Sequence, residues 1–200
     1  MIDRVKASVT ALQKVGDDVG DDVLIAAVAG GDEQAYALLV DRHLQPAYRF
    51  ALRMVGRTAD AEDAAQEAFI RVWGKAGQWQ PGRGSFRSWF YRLLYNLCID
   101  LLRRRPPFDP EPDVEPPGDD DPASTVIDGQ RAEIVKAALG RLPERQRAAL
   151  LLTYYEGLSN REAADAMKVG VKGLEALLVR GRRALARDLG GVREELLQEG

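Results

Sequence analysis

The sequence predicts an all-α protein of two small helical domains joined by a flexible tether. Three observations predict it. Apolar residues recur at three- and four-residue spacing through most of the chain, and strand-like alternation is absent. The stretch "PPFDPEPDVEPPGDDDP", residues 106–122, holds seven of the ten prolines and seven acids without a base. Proline at that density removes backbone donors and the acids repel one another, so this segment is expected to be extended. The expected organisation is a first domain over residues 1–105, a linker over 106–124 and a second domain over 125–200.

Helices are expected at 22–29, 33–54, 60–76 and 86–104 before the tether, and at 125–139, 144–155, 160–167 and 171–188 after it. The segment 60–76, "DAEDAAQEAFIRVWGKA", is amphipathic: Ala61, Ala64, Ala65, Ala68, Phe69, Val72 and Trp73 form one face, and Glu62, Asp63, Gln66, Glu67 and Arg71 the other. Asp60 suits the N-cap, and acids in the first turn suit the helix dipole. Asp63 and Glu67 stand at i,i+4, where like charges repel, with Arg71 one turn on as a partial offset. The pattern alone leaves two readings of this face open, a solvated surface or a docking surface.

In 86–105, "FRSWFYRLLYNLCIDLLRRR", the apolar stripe is Phe86, Phe90, Leu93, Leu97 and Leu101. Ser88, Tyr91, Arg92, Tyr95, Asn96 and Arg103 fall on the outward side. Aromatic rings between arginines suit unpaired nucleic acid, because every base offers a face to stack on and arginine adds phosphate attraction. Asn96 carries the paired donor and acceptor that can read a base edge. The preceding loop, with Trp79, Arg83 and Ser85, could close around one extruded base. The alternative is that Trp89, Tyr91 and Tyr95 pack against neighbouring helices.

The second half carries the punctuation of a helix-turn-helix. "LPERQRAALLLTYYEG" starts behind Pro143 and stops at Gly157, Ser159 and Glu162 form an S-x-x-E capping box, and a tight turn follows at Val169-Gly170. The last helix should bury Val171, Leu174, Leu178, Gly181 and Leu185 and expose Lys172, Glu175, Ala176, Val179, Arg180, Arg182, Arg183 and Arg187. A compact turn before a basic helix is the geometry that places a recognition helix in the DNA major groove.

Composition narrows the classes. The net charge of −3 averages unlike parts: without 106–122 the chain has 28 basic and 24 acidic side chains, a charge of +4. No apolar run approaches the about 18 residues of a membrane span, so a cytoplasmic location without membrane contact is expected. Cys98 is the single cysteine and reads as a core residue; with His43 the single histidine, a Cys/His zinc site is excluded. A carboxylate metal site from Asp60, Asp63 and Glu67 would lack the histidine partner such bundles use. No nucleotide-binding loop of the G-x-x-x-x-G-K type is present. No cofactor, metal or catalytic residue is expected.

Together "DAEDAAQEAFIRVW", "FRSWFYRLLYNLCIDLLRRR" and "LPERQRAALLLTYYEGLSNREAADAMKVGVKGLEALLVRGRRAL" resemble the bacterial extracytoplasmic-function (ECF) sigma factors, over residues 32–189 apart from the linker. The resemblance implies that the acidic helix, through Asp60, Asp63, Gln66, Glu67 and Arg71, docks on the β′ clamp helices of RNA polymerase. It implies a −10 promoter-reading segment of Trp79, Arg83, Ser85, Ser88, Trp89, Tyr91, Arg92, Tyr95, Asn96, Arg103 and Arg104. The second half would bind the −35 element through Arg147, Arg161, Lys172, Gly173, Glu175, Ala176, Val179, Arg180 and Arg183. The sequence departs from the family pattern where the recognition helix begins, at Gly170, Glu175 and Ala176, so Lys172 and Arg180 are its foremost expected contacts. The implied partners are core polymerase, including its β flap, promoter DNA, and an anti-sigma factor around which the halves clamp; uncomplexed, the protein is expected to be a monomer.

Overall fold

The computed structural model describes residues 19–80, 82, 84–104 and 126–198; the tether and Arg83 lie outside the described residues. Every regular element among the described residues is helical. The first half contains α1 (Asp21–Ala29), α2 (Glu33–Val55), α3 (Thr58–Lys75) and α4 (Phe86–Arg104), with a single 3₁₀ turn at Ala76–Gln78. The second contains α5 (Val126–Arg141), α6 (Glu144–Leu150), α7 (Asn160–Ala166) and α8 (Val171–Gln198).

In the first half, α2 begins at Asp32, whose carboxylate accepts from the backbone N–H groups of Gln34 and Ala35 at 2.9 and 3.0 Å. It ends at Gly56, whose φ of 77° is the left-handed conformation glycine adopts without a Cβ penalty. Only Arg57 separates that cap from α3, so Arg57, and not the expected Asp60, is the N-cap. Asp60 lies in the first turn, with a carboxylate oxygen 3.9 Å from the Arg57 guanidinium.

Rings from three helices fill the core of this half. Phe86 stacks on Phe90 with centroids 5.6 Å apart, and Phe69 meets Phe90 at 5.0 Å. Cys98 is fully buried on α4, which pushes its thiol up to about 12 and leaves it inert as a nucleophile. α1 is fastened by two acids. Asp22 accepts the backbone N–H of Phe86 at 2.6 Å, capping α4 from another helix, while Asp21 binds Arg42 and His43, each at 2.7 Å.

Partial burial raises the Asp21 carboxyl, but the bonds from His43 and Arg42 outweigh it and hold it below the usual value of 3.8. A depressed carboxyl stabilises the fold above its unfolded pKa and loses that contribution as pH falls through the folded one. Asp21→Asn is therefore expected to cost about 1 kcal/mol at neutral pH, with the gap to wild type closing below about pH 4 in urea melts. A gap that persisted undiminished in acid would show that the charge is not what holds α1.

In the second half, α6 does not run unbroken to 155 as expected. At Leu151–Tyr155 it widens into a π turn, with the N–H of Glu156 bonded to the carbonyl of Leu151 at 3.0 Å. Thr153 adds a reason: its hydroxyl donates back to the Ala149 carbonyl at 2.8 Å, a bond that loosens the regular ladder. The capping box is present, and the turn into α8 passes through Lys168 at φ 52°. α8 continues through Gly190 to Gln198, beyond its expected end at 188.

Gly181 lets α8 approach α6: a Cβ there would sit 3.0 Å from Leu150 Cδ1. Gly181→Val is expected to overpack this contact and cost about 1–3 kcal/mol in denaturant melts. An unchanged midpoint would mean that the two helices can part without penalty.

Candidate functional site

On α3 the inward face is as expected except for Trp73, which is 42% exposed and packs edge-on against Tyr36 with centroids 5.1 Å apart. An indole at the rim of the helix can contact Tyr36 and still face solvent, which the binary pattern does not distinguish. Asp63 and Gln66 are exposed, and Glu67 accepts from Arg71 at 2.8 Å. Ile70, absent from the expected set, is 64% exposed beside these acids. An apolar side chain among charged ones is a feature of docking surfaces, although a lone exposed isoleucine in a sequence is too common to single out.

The outward face of α4 is corrected more deeply. Ser88, Tyr91 and Tyr95, expected to face solvent, are 3%, 1% and 7% exposed. Ser88 and Tyr95 are covered by the second half, beside Glu162 and Arg145, whereas the Tyr91 ring packs within its own bundle against Phe50 and Phe90 and only its hydroxyl reaches across. Ser85 donates to Glu162 Oε1 at 2.6 Å, Ser88 to the Glu162 carbonyl at 3.3 Å, and Arg92 to the Asp165 carbonyl at 3.1 Å. Tyr91 donates its hydroxyl to Glu156 Oε2, and Arg87 donates to the Glu156 carbonyl. Each is a donor meeting an acceptor, which is the demand a nucleic-acid strand would also make of this face.

Charge follows the same seam. Burial pushes the Glu156 carboxyl up against the Tyr91 bond and the arginines Arg87, Arg53 and Arg49, which pull it down. The Glu162 carboxyl is held low, first by the Ser85 hydroxyl, with burial opposing and the Ser159 bonds assisting. Burial, and then the nearby Glu156, raise Tyr91 well above an ordinary phenol.

The remaining expected residues divide by exposure. Trp79, Trp89 and Asn96 are half-buried, with Trp89 packed against Phe86 at 6.2 Å, and Arg103 and Arg104 are exposed at the end of α4. On the second half, Arg161 of α7 and Lys172, Gly173, Glu175, Ala176, Val179, Arg180 and Arg183 of α8 are all exposed. Val171, expected in the core, is 42% exposed, and Leu177 is buried. Arg147 stands apart from this face. It donates to the carbonyls of Met54, Gly140 and Leu142 at 2.6, 2.7 and 3.1 Å, so in this arrangement it ties the halves together. Among the described residues no group of three or more His, Cys, Asp or Glu is placed to hold a metal ion, and no helix is long and apolar enough to cross a membrane.

Residues 39–106 match Sigma-70 region 2, and residues 132–185 match Sigma-70, region 4. The chain is 36% identical over 176 residues to the ECF RNA polymerase sigma factor SigE of Mycolicibacterium smegmatis, covering 86% of this chain and 65% of that longer protein. It is 30% identical over 178 residues to SigW of Bacillus subtilis, covering 82% of this chain and 94% of the relative. Against SigM of Mycobacterium tuberculosis it is 35% identical over 179 residues, covering 85% of each. Among solved structures it is similar to CnrH, determined in complex with the cytosolic domain of CnrY, at a TM-score of 0.66 and 28% identity, covering 86% of this chain and 97% of that one. It shares the fold of RpoE from Bartonella quintana, determined with the anti-sigma factor NepR, at a TM-score of 0.64 and 21% identity, covering 76% of this chain and 94% of that one. With two sigma regions in order on two helical halves, and SigW of Bacillus subtilis covered over 94% of its length at 30% identity, the chain belongs to the ECF family of RNA polymerase sigma factors, which are transcription initiation factors and not enzymes.

Proposed function

We propose that this sigma factor works in the cytoplasm as a two-handed promoter reader whose described arrangement is its closed form. Residues 1–105 hold core polymerase through the α3 surface of Asp60, Asp63, Gln66, Glu67 and Arg71, on the β′ clamp helices, with Ile70 as its apolar centre. The loop before α4 and the residues Ser85, Ser88, Tyr91, Arg92, Tyr95 and Asn96 capture unpaired bases of the −10 element, while Arg103 and Arg104 meet phosphate. Residues 125–200 contact the β flap and insert α8 into the −35 major groove, led by Lys172 and Arg180. Residues 106–124 let the halves separate to that reach.

The observation that carries this reading is the opposition of two exposed surfaces in one chain, acidic with an apolar centre on α3 and basic on α8. No hydrolysis is required for duplex opening. Unstacking a base costs a few kcal/mol, and one or two stacking contacts of about 1–3 kcal/mol each offset it. Because the α4 donors are engaged by Glu156, Glu162 and Asp165, the closed monomer cannot read a −10 strand until the halves part. An anti-sigma factor that prefers the closed form would lengthen that state by binding it selectively. The relatives CnrH and RpoE, solved with CnrY and NepR, support this partner class.

Run-off transcription by bacterial core polymerase, with and without the protein, on DNA from upstream of its own gene tests the reading. Initiation at one start site that depends on the protein supports it. No initiation, together with no binding to cognate core, overturns it.

A further inference from the structure

Between the halves lies a cleft of about 550 Å³ whose charge balance is unequal. One wall is a stripe of α2 at helical spacing, Arg42, Pro46, Arg49 and Arg53; Arg87 of α4 joins it, and Tyr155 and Glu156 of the second half close the other side. Arg42 is committed to Asp21 and the Val19 carbonyl. The other three guanidinium groups all attract the Glu156 carboxylate, and Arg87 also attracts that of Glu162. One Glu156 oxygen already accepts from Tyr91, and Arg87 spends a single donor on the Glu156 carbonyl. Arg53 lies with its guanidinium carbon 4.5 Å from the centroid of the Tyr155 ring. Stacking of that kind engages the guanidinium face and leaves its N–H edge for an acceptor. Neither Arg49 nor Arg53 has a hydrogen-bond acceptor among the described residues.

The cleft therefore has an excess of positive charge, centred on Arg49 and Arg53, and more donors than acceptors, in a half-buried setting where a cation is weakly screened. A phosphate group has the complementary chemistry. It carries up to two negative charges and several acceptor oxygens, and planar guanidinium forks bind it bidentately where a lysine would offer a point charge. The volume suits a small ligand, about 300–1,000 Å³ being usual for such sites. We propose that this arginine cleft binds the phosphate group of a small anionic ligand, a phosphomonoester or diphosphate, across the seam between the halves. Since α2 and α4 supply the cations and the second half supplies Tyr155 and Glu156, a bound phosphate contacts both halves only when they are together. Linkage then makes the ligand a stabiliser of the closed form, opposing promoter capture. This consequence rests on the sigma-factor reading; the site itself does not.

The test uses the full chain and sodium pyrophosphate, titrated calorimetrically at ionic strength held constant with sodium chloride, with no polymerase or DNA present. Its failure is thus separate from failure of the transcription assay. Saturable single-site binding is expected, weakened about tenfold or more in Arg49→Gln and in Arg53→Gln, as loss of a charge-assisted bond predicts. Far-UV circular dichroism of both variants checks that they fold. Hydrogen exchange in wild type supplies a second readout: pyrophosphate should protect residues 42–53 and 151–158 together. A heat indistinguishable from added chloride, an affinity unchanged in both variants, or protection confined to one half would each overturn the site. A single-stranded −10 oligonucleotide forms the other arm. If it protected both segments as pyrophosphate does, the phosphate recognised would be that of DNA, and the small-ligand site would be overturned.

Discussion

The double substitution Asp63→Arg/Glu67→Arg is expected to abolish promoter-specific run-off transcription, by about two to three orders of magnitude, while leaving the fold intact. Asp63 is exposed, and the only described bond that Glu67 contributes is the one to Arg71 on the same helix. Losing that pair costs about 0.3–0.5 kcal/mol, far too little to unfold the first half, whose core is Ala61, Ala64, Ala65, Ala68, Phe69 and Val72 on the opposite face. In a complex the same change places like charges against the partner, and such juxtapositions cost several kcal/mol. The predicted pattern is loss of core binding in native gels with thermal stability and −35 duplex binding retained. Wild-type transcription by the variant would remove polymerase docking from α3. Loss of −35 binding alongside it would point instead to a general defect.

Much of the fold was legible because its determinants are local. The Ser159/Glu162 capping box is two groups three residues apart, and both of its reciprocal bonds are present. Phe86, Phe90 and Leu97 lie on the stripe that the helical period assigns inward and are buried, while Leu93 and Leu101 of the same stripe are only partly so. Asp60 was displaced from the cap by one fact of spacing, that Gly56 closes α2 and leaves a single residue before α3. The face of α4 could not be read in the same way. Periodicity reports which side of a helix meets its own bundle; Ser88 and Tyr95 are on the other side, and Tyr91 stands between, its ring against Phe50 and its hydroxyl toward the second half. The acceptors that meet Ser88 and Tyr91 stand 74 and 65 positions further along, across the tether, and nothing local encodes a partner at that distance. The donors of this face that the sequence offers to unpaired bases are engaged within the chain. What covers them is the second half, whose Glu156 and Glu162 present carboxylate oxygens to the same donors.

Tyr91→Phe should shift the equilibrium between closed and open forms toward the open one by about tenfold to a hundredfold. The ring packs edge-on against Phe50 and Phe90, with centroids 5.4 and 5.5 Å away, and phenylalanine keeps those contacts, so the first half should retain its stability. What is lost is the hydroxyl that Glu156 accepts, in a side chain only 9% exposed. A hydrogen bond to a charged group is worth about 1.5–3 kcal/mol, and each 1.4 kcal/mol is a factor of ten. Because donor and acceptor belong to different halves, the penalty falls on their association and not on either fold. Spin or dye labels placed across the seam would report a longer mean distance in the variant. In a Glu156→Gln background the same tyrosine substitution removes only a neutral bond, of about 1 kcal/mol, so its effect should shrink. A distance distribution that is already extended in wild type, or identical in wild type and Tyr91→Phe, would mean that this bond does not hold the closed form. A smaller effect in the glutamine background would assign the difference to the buried carboxylate itself: Glu156 would then hold, from the second half, the place on α4 proposed for the negative strand.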